Sequence, residues 1–183
     1  MNIRLAGFGG QGIVLAGYVL GRAGILDGGN ALQTQSYGSE SRGGACKSDV
    51  IISEGEILDL VPPGLDVLVA MSQPALDKYL PNVKEDGILV YDSDLVRPGD
   101  CTIRALGLPA TDIAEKTFGR EVVANVIMVG CLAGLTGVVS RDSLRAAISE
   151  SVPPKTVEMN LAAFEEGFNR GAKQGRNARE DKE

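Results

Sequence analysis

The sequence predicts an α/β fold with a Rossmann-like sheet, mostly parallel but with an antiparallel hairpin, helices on the faces and a helical C-terminal layer. Short apolar runs typical of strands alternate with helical segments in the first part of the chain. A glycine-rich turn, GFGGQG, lies between the first strand and the first helix. From residue 110 onward the pattern is helical. These three observations fix the class.

The N-terminal segments predict a strand-helix-strand unit. Residues 2–6 form the first strand, and residues 11–26 form a helix whose internal glycines indicate close packing against a neighbouring backbone. After a turn at Asp27, residues 30–35 form the second strand.

The middle of the chain predicts further strands. The β-branched patterns of residues 46–52 and 56–60 flank a Ser-Glu-Gly turn and indicate a hairpin. Residues 66–72 and 87–93 are continuous apolar runs of the kind that is buried on both faces of a sheet, with a short helix between them. Residues 101–107 predict one more strand.

The C-terminal part predicts helices around one core. Residues 121–139 are apolar nearly all round, which indicates a buried helix. The last helix begins after Pro153 and carries an apolar stripe, made of Val157, Leu161, Phe164 and Phe168. We therefore expect a single α/β domain over residues 1–171 and a polar, flexible tail over residues 172–183.

The composition excludes several classes of function. The net charge is −6 without a basic cluster, so we expect no nucleic-acid partner. No apolar run is long enough to cross a bilayer, and no signal-peptide pattern precedes residue 20, which predicts a cytoplasmic protein without a membrane partner. The chain has no histidine, which removes the usual nucleophile systems, and its three cysteines form no metal-binding pattern.

The first glycine loop, residues 7–12, matches the dinucleotide-binding spacing G-x-G-x-x-G. Its place between a strand and a helix start suits an anion, and Gln11 offers amide donors and an acceptor. The acidic residue expected at the end of the second strand is missing, because that region has the sequence LQTQSYG. Two interpretations stay open: glycines that serve close packing, and capture of an anion within a larger site.

The second glycine loop, residues 36–44, has the sequence SYGSESRGG and follows the second strand. Ligands of open α/β sheets bind at the carboxyl ends of strands, so Tyr37, Glu40 and Arg42 are predicted to touch a ligand or partner. A solvated loop with a Glu40–Arg42 ion pair is the alternative. For Cys46 we expect a small buried hydrophobe in preference to a reactive thiol, and for Asn125 a satisfied hydrogen bond in the core or at an interface in preference to a catalytic role.

The two glycine loops, together with Asn125 in an apolar helix and the segment KTVEMNLAAFEEGF, resemble one family. They are similar to the gamma subunit of the 2-oxoacid:ferredoxin oxidoreductases, over about residues 1–170. Members oxidatively decarboxylate a 2-oxoacid to its acyl-CoA and pass the electrons to ferredoxin. The pattern from VPPGLDVLVAMSQPAL to GILVYDSDLV favours the 2-oxoglutarate type.

The resemblance implies a subunit that does not act alone. Thiamine diphosphate with Mg²⁺ and the iron-sulfur clusters would be carried by other subunits, namely the alpha and beta subunits and a delta subunit where one exists. This chain would contribute no catalytic residue and no metal ligand, and would bind no cofactor by itself. Ferredoxin and coenzyme A would be met through the complex.

The resemblance also implies the site residues, which both loops would present to the shared site and to the path of coenzyme A. The set is Gly7, Gly9, Gly10, Gln11, Gly12, Ser36, Tyr37, Gly38, Glu40, Arg42, Gly43 and Gly44. Ser39 departs from the proline expected in many members, which concerns the stiffness of the second loop. A stand-alone nucleotide-binding module and a purely structural assembly subunit are the alternative functions.

Overall fold

Six strands form one mixed sheet in the computed structural model, which describes residues 1–36, 46–60 and 63–180. The strands are β1 (Asn2–Gly7), β2 (Asn30–Ser36), β3 (Cys46–Ser53), β4 (Leu65–Ala70), β5 (Val83–Asp92) and β6 (Arg104–Leu108). The helices are α1 (Ile13–Leu26), α2 (Gln73–Tyr79), α3 (Ala110–Phe118), α4 (Ala124–Thr136), α5 (Arg141–Ser151) and α6 (Val157–Glu180). The spatial order of the strands is β2-β3-β1-β4-β5-β6. The predicted α/β class is confirmed.

One strand runs against the other five. β1, β4, β5 and β6 are parallel neighbours, whereas β3 is antiparallel to both β1 and β2. The antiparallel portion of the sheet is therefore confirmed, but the predicted hairpin partner is wrong. β3 pairs with β2 on one side and β1 on the other, which leaves no free edge for residues 56–60, and those residues form no strand.

The helices form a thick layer on one face of the sheet and a thin layer on the other. The larger core contains α1, α3, α4, α5 and α6. These helices pack on the side chains that β1 and β3 direct to that face, among them Ile3, Leu5 and Val50. The smaller core joins α2 to the opposite face through Ala75, Leu76 and Tyr79. The predicted burial of the apolar helix is confirmed, since α4 is buried from Ala124 to Ala133.

Glycines let α4 and α6 approach each other closely. A Cβ atom on Gly130 or Gly134 of α4 would collide with the backbone of α6 at Phe164 or Phe168. A Cβ atom on Gly167 of α6 would in turn collide with the carbonyl of Ile127. These contacts are between backbones, so no side-chain movement can relieve them. The predicted stripe of the last helix lies in this contact, with Phe164 fully buried.

The C-terminal helix is longer than the sequence predicts. α6 continues to Glu180, so residues 172–180, expected in a flexible tail, are helical. Gly175 still packs near the carbonyl of Leu135, which explains why the helix continues beyond residue 171. Within the described residues, none of the helices combines the length and the apolar character that crossing a bilayer requires.

Candidate functional site

β1 and β2 are parallel to each other and both end at the same carboxyl-terminal edge of the sheet. β1 ends at Gly7, where the first glycine loop begins, and Gly7 pairs with Cys46 at the start of β3. Ser36, at the end of β2, pairs with Lys47 of β3. Ser36, which begins the second glycine loop, and Cys46, which follows it, therefore lie at the same end of the sheet as Gly7. The site residues Tyr37, Gly38, Glu40, Arg42, Gly43 and Gly44, and the proposed Glu40–Arg42 ion pair, lie outside the described residues.

The backbone of the first glycine loop takes a shape that only glycine adopts readily. Gly10 has a φ of +97° and Gly12 has a φ of +72°, both in the left-handed region. Gly12 directly precedes α1 and has no side chain with which to cap it. The first backbone N–H groups of α1, which lack partners within the helix, are therefore oriented toward this edge.

Gln11 ties the first glycine loop to the end of β4. Its Oε1 accepts a hydrogen bond from the backbone N–H of Phe8 at 2.6 Å, and its Nε2 donates to the carbonyl of Met71 at 2.9 Å. A Cβ atom on Gly7 would collide with this same amide. The sequence indicated an amide facing a ligand, and the structure adds a supporting role for it inside the loop.

Asn125 holds the other end of the loop. Its side chain is 2% exposed, and its Nδ2 donates to the carbonyl of Gly12 at 3.0 Å, while its Oδ1 accepts from the N–H of Val126 at 2.7 Å. The expected role as a satisfied amide in the core is confirmed, and its partner is the site loop itself. A Cβ atom on Gly12 would lie 2.2 Å from Asn125 Nδ2, so glycine at this position makes room for the amide.

Asp92, which sequence reasoning missed, is a buried carboxylate at the same carboxyl-terminal edge of the sheet. It lies at the end of β5 and accepts hydrogen bonds from Thr111 Oγ1 at 2.6 Å and from the N–H groups of Thr111 and Asp94 at 3.1 Å. Burial raises the pKa of Asp92 more than these donors lower it. The carboxylate thereby fixes the start of α3 to β5. Its position directly after the apolar run GILVY was the available signal.

The cysteines are free and lie in separate elements. Burial raises the pKa of the Cys131 thiol in α4 to about 12, and it also raises the pKa of the half-buried Cys46. Both thiols therefore favour the protonated form, which fits the interpretation of Cys46 as a small hydrophobe. The third, Cys101, follows β5. Among the described residues no group of three or more Cys, Asp or Glu side chains could hold a metal ion.

A cavity of about 510 Å³ lies away from the glycine loops, between β6 and α6. Its walls include Leu106, Leu108 and the Glu166–Arg170 ion pair. None of the predicted site residues that the structure describes lines it.

Comparisons with known proteins agree with this arrangement. The model of the pyruvate ferredoxin/flavodoxin oxidoreductase family matches residues 2–170. The 2-oxoglutarate synthase subunit KorC of Methanocaldococcus jannaschii is 47% identical over 174 residues, which cover 91% of each chain.

Two solved structures share the fold. The gamma subunit of a keto/oxoacid ferredoxin oxidoreductase from Geobacter sulfurreducens is 42% identical, with a TM-score of 0.84 over 93% of this chain and 98% of that one. The 2-oxoglutarate:ferredoxin oxidoreductase of Magnetococcus marinus, solved with 2-oxoglutarate, coenzyme A and succinyl-CoA bound, has a TM-score of 0.82 at 24% identity. That likeness, one of fold, covers 97% of this chain and 31% of that chain. Through the match over residues 2–170, this chain belongs to the pyruvate ferredoxin/flavodoxin oxidoreductase family.

Proposed function

We propose that this chain is the gamma subunit of a 2-oxoglutarate:ferredoxin oxidoreductase. The complex would convert 2-oxoglutarate, coenzyme A and oxidised ferredoxin into succinyl-CoA, carbon dioxide and reduced ferredoxin. Thiamine diphosphate, Mg²⁺ and iron-sulfur clusters would lie in the partner subunits. Family membership and the 47% identity to a 2-oxoglutarate synthase subunit support the reaction class and the substrate. Three unpaired cysteines support a reducing, cytoplasmic location.

One observation carries the role of this chain within the complex, namely the pairing of Gly7 with Cys46. This pairing puts the first residue of the first glycine loop beside the strand that follows the second, which supports a shared position for both loops. The uncapped start of α1 offers backbone N–H groups there, which suit the phosphates of coenzyme A. Arg42 of the second glycine loop would add a bidentate cation for the same anionic ligand.

Exposed apolar side chains at this edge support its contact with a catalytic subunit. Phe8 follows β1 and is 39% exposed, and Val122 precedes Asn125 and is 51% exposed. Leu95, just after β5, is also exposed. Apolar groups around a ligand-binding edge indicate a surface that another polypeptide covers. The glycine loops would thus complete a site that lies mainly on the partner.

The experiment is to co-express the chain with the other subunits of its complex and to measure CoA-dependent reduction of a viologen dye. We expect 2-oxoglutarate to give the highest kcat/KM, above pyruvate and 2-oxoisovalerate. Arg42→Ala should raise the KM for coenzyme A roughly tenfold or more in an intact complex. Arg170→Ala, which removes an exposed ion pair with Glu166 on α6, is the matched control and should leave this KM unchanged.

Two outcomes would contradict the proposal. An unchanged KM for coenzyme A in the Arg42→Ala complex would confine the second glycine loop to structure and favour a purely structural assembly subunit. Micromolar binding of NAD, FAD or ATP by the isolated chain, measured by calorimetry, would favour a stand-alone nucleotide-binding module.

A further inference from the structure

In the part of the chain that the structure describes, β2 is an edge strand with an open outer side. β2 pairs with β3 along its whole length, from Asn30 opposite Ser53 to Ser36 opposite Lys47, without a bulge. Within the described ranges no strand pairs with its other side. Its sequence NALQTQS contains no charge and no proline. Edge strands normally carry charges, prolines or bulges, because an open row of backbone donors and acceptors otherwise pairs with another chain.

The opposite edge of the sheet is different. β6 is shorter, with five residues, and begins at the exposed Arg104. A charged, short edge strand is a common defence against pairing between chains. The two edges of this sheet are therefore not equivalent, and only the edge at β2 lacks such a defence.

An apolar stripe of α1 lies beside this open edge. Val14, Tyr18 and Ile25 are spaced by four and seven residues and so share one side of the helix. Tyr18 is 52% exposed and Ile25 is 49% exposed. The carbonyl of Val14 accepts a hydrogen bond from Gln33 Nε2 at 2.9 Å, which places this part of α1 next to β2. A Cβ on Gly21, which lies on the same side of the helix, would be 3.9 Å from the Cβ of Ala31.

We propose that this surface binds a second copy of the chain. The two β2 strands would pair antiparallel about a two-fold axis perpendicular to the sheet, so that one continuous sheet crosses both copies. The same axis places the two α1 helices side by side on one face, where Tyr18 and Ile25 of each helix pack against the other. A paired strand of seven residues is about 23 Å long at roughly 3.3 Å per residue.

The distribution of charge favours a second copy over an acidic or basic partner. A two-fold interface brings identical surfaces together, so it tolerates no unpaired charge of one sign. β2 has no charged residue, and Arg22 is the one Lys, Arg, Asp or Glu residue in α1. The guanidinium of Arg22 is already bound to Glu150 of α5 at 3.0 and 3.1 Å. A charged partner segment would find no free counter-charge on this surface.

The proposed dimer uses the long outer side of β2, whereas the first glycine loop leaves from the end of β1, two strands away in the sheet. The inference therefore does not depend on the proposed function, and its test uses the isolated full chain.

The test is sedimentation velocity over a concentration range from about 1 to 100 µM, a range in which specific dimers of moderate affinity dissociate. We expect the wild-type chain to have twice its 19.1 kDa mass. Gln35→Lys, at an exposed position of β2, would bring a charge without a counter-charge into the interface from each copy and weaken the dimer roughly 100-fold. Tyr18→Lys should act in the same direction through the helix pair. Ala105→Lys, at an exposed position of β6, is the matched control and should stay dimeric.

Circular dichroism and the thermal midpoint of each variant would show that it is folded. A wild-type chain that stays monomeric over the whole range would overturn the proposal, as would a dimer that neither Gln35→Lys nor Tyr18→Lys weakens. A monomeric wild type whose Gln35→Lys variant fails to join the other subunits would assign the β2 edge to a different chain, and so would also overturn it.

Discussion

The amide of Asn125 donates to the carbonyl of Gly12 at 3.0 Å and thereby joins α4 to the start of α1. The two residues are 113 positions apart in the sequence. The Gly12 carbonyl also accepts the first intrahelical hydrogen bond of α1, from Ala16 at 2.9 Å. The shape of the first glycine loop thus depends on a buried residue of the most deeply buried helix.

Replacing Asn125 by Ala should destabilise the chain and loosen the loop. The change removes one buried hydrogen bond and leaves the N–H of Val126 without its Oδ1 acceptor, so we expect a loss of about 1–2 kcal/mol in the free energy of unfolding. Urea denaturation of the isolated chain measures this loss. In the assembled complex the KM for coenzyme A should also rise.

Asn160→Ala is the control for that experiment. Asn160 is also buried, and its Nδ2 donates to the carbonyl of Thr156, directly before α6. A similar loss of stability with an unchanged KM is expected. Equal effects of both variants on the KM would show that Asn125 acts only through global stability.

Gly167→Ala should be among the most damaging single substitutions in the chain. Its added methyl group would overlap the carbonyl of Ile127, and the two helices would have to separate along their contact. Overpacking of this kind costs about 3 kcal/mol.

Gly21→Ala is the matched control, because its methyl group would meet Val50 at 3.7 Å and Ala31 at 3.9 Å, which are ordinary contacts. Since alanine favours a helix, this control should raise stability by about 0.5–1 kcal/mol. Thermal and urea unfolding would measure the stability of both variants. A Gly167→Ala chain as stable as the wild type would contradict the close packing of α4 and α6.

The sequence predicted the fold class and the position of the glycine loops because both follow from local patterns. A strand, a glycine turn and an apolar helix lie within the first 26 residues, and the buried strands β4 and β5 are continuous apolar runs. The pairing of β3 could not be predicted this way. The turn at Ser53 is a good local hairpin signal, but β3 is already paired on both sides by strands from elsewhere in the chain.

Side-chain partners within the site were likewise beyond the sequence. The residue type of Gln11 shows only that an amide is available, and the fold decides that its donor meets Met71, 60 positions away. The same holds for Asp92, whose capping of α3 depends on the adjacent ends of β5 and β6. Periodicity reports which face is buried, whereas such contacts depend on how separate elements are packed together.

Gln11→Glu should weaken the anchoring of the first glycine loop. One carboxylate oxygen can still accept from the N–H of Phe8, but the other replaces a donor and faces the carbonyl of Met71. Two acceptors in this geometry repel, so we expect a loss of about 2 kcal/mol at pH 7. The loss should shrink as the pH is lowered, because a protonated carboxyl can donate to Met71. Gln73→Glu, at a water-exposed hydrogen bond, is the control with a smaller effect. A pH-independent loss would show that the Met71 contact is not its cause.

Asp49 should make the stability of the chain depend on pH in the acid range. Burial acts to raise the pKa of Asp49, but hydrogen bonds and charge from Arg4 and Lys47 outweigh it and lower the pKa below its usual 3.8. Arg4 binds it through two hydrogen bonds of 2.5 and 2.9 Å, and Lys47 binds it at 2.8 Å. A lowered pKa in the folded state means that this stabilisation is present above about pH 4 and is lost as the pH falls through the folded value.

Asp49→Asn tests this linkage, because asparagine keeps the shape and removes the charge. We expect the variant to be less stable than the wild type by about 2–3 kcal/mol at pH 7, with a difference that shrinks below about pH 4. Urea unfolding at pH 7 and at pH 3 measures this difference in the free energy of unfolding. Asp92, whose raised pKa acts in the opposite direction, is common to both proteins and cancels in the comparison.

Glu166→Gln, which removes the charge of an exposed ion pair with Arg170, is the control and should cost less than about 0.5 kcal/mol. A difference between wild type and Asp49→Asn that stays constant from pH 7 to pH 3 would show that the ion pair does not stabilise the fold through its charge.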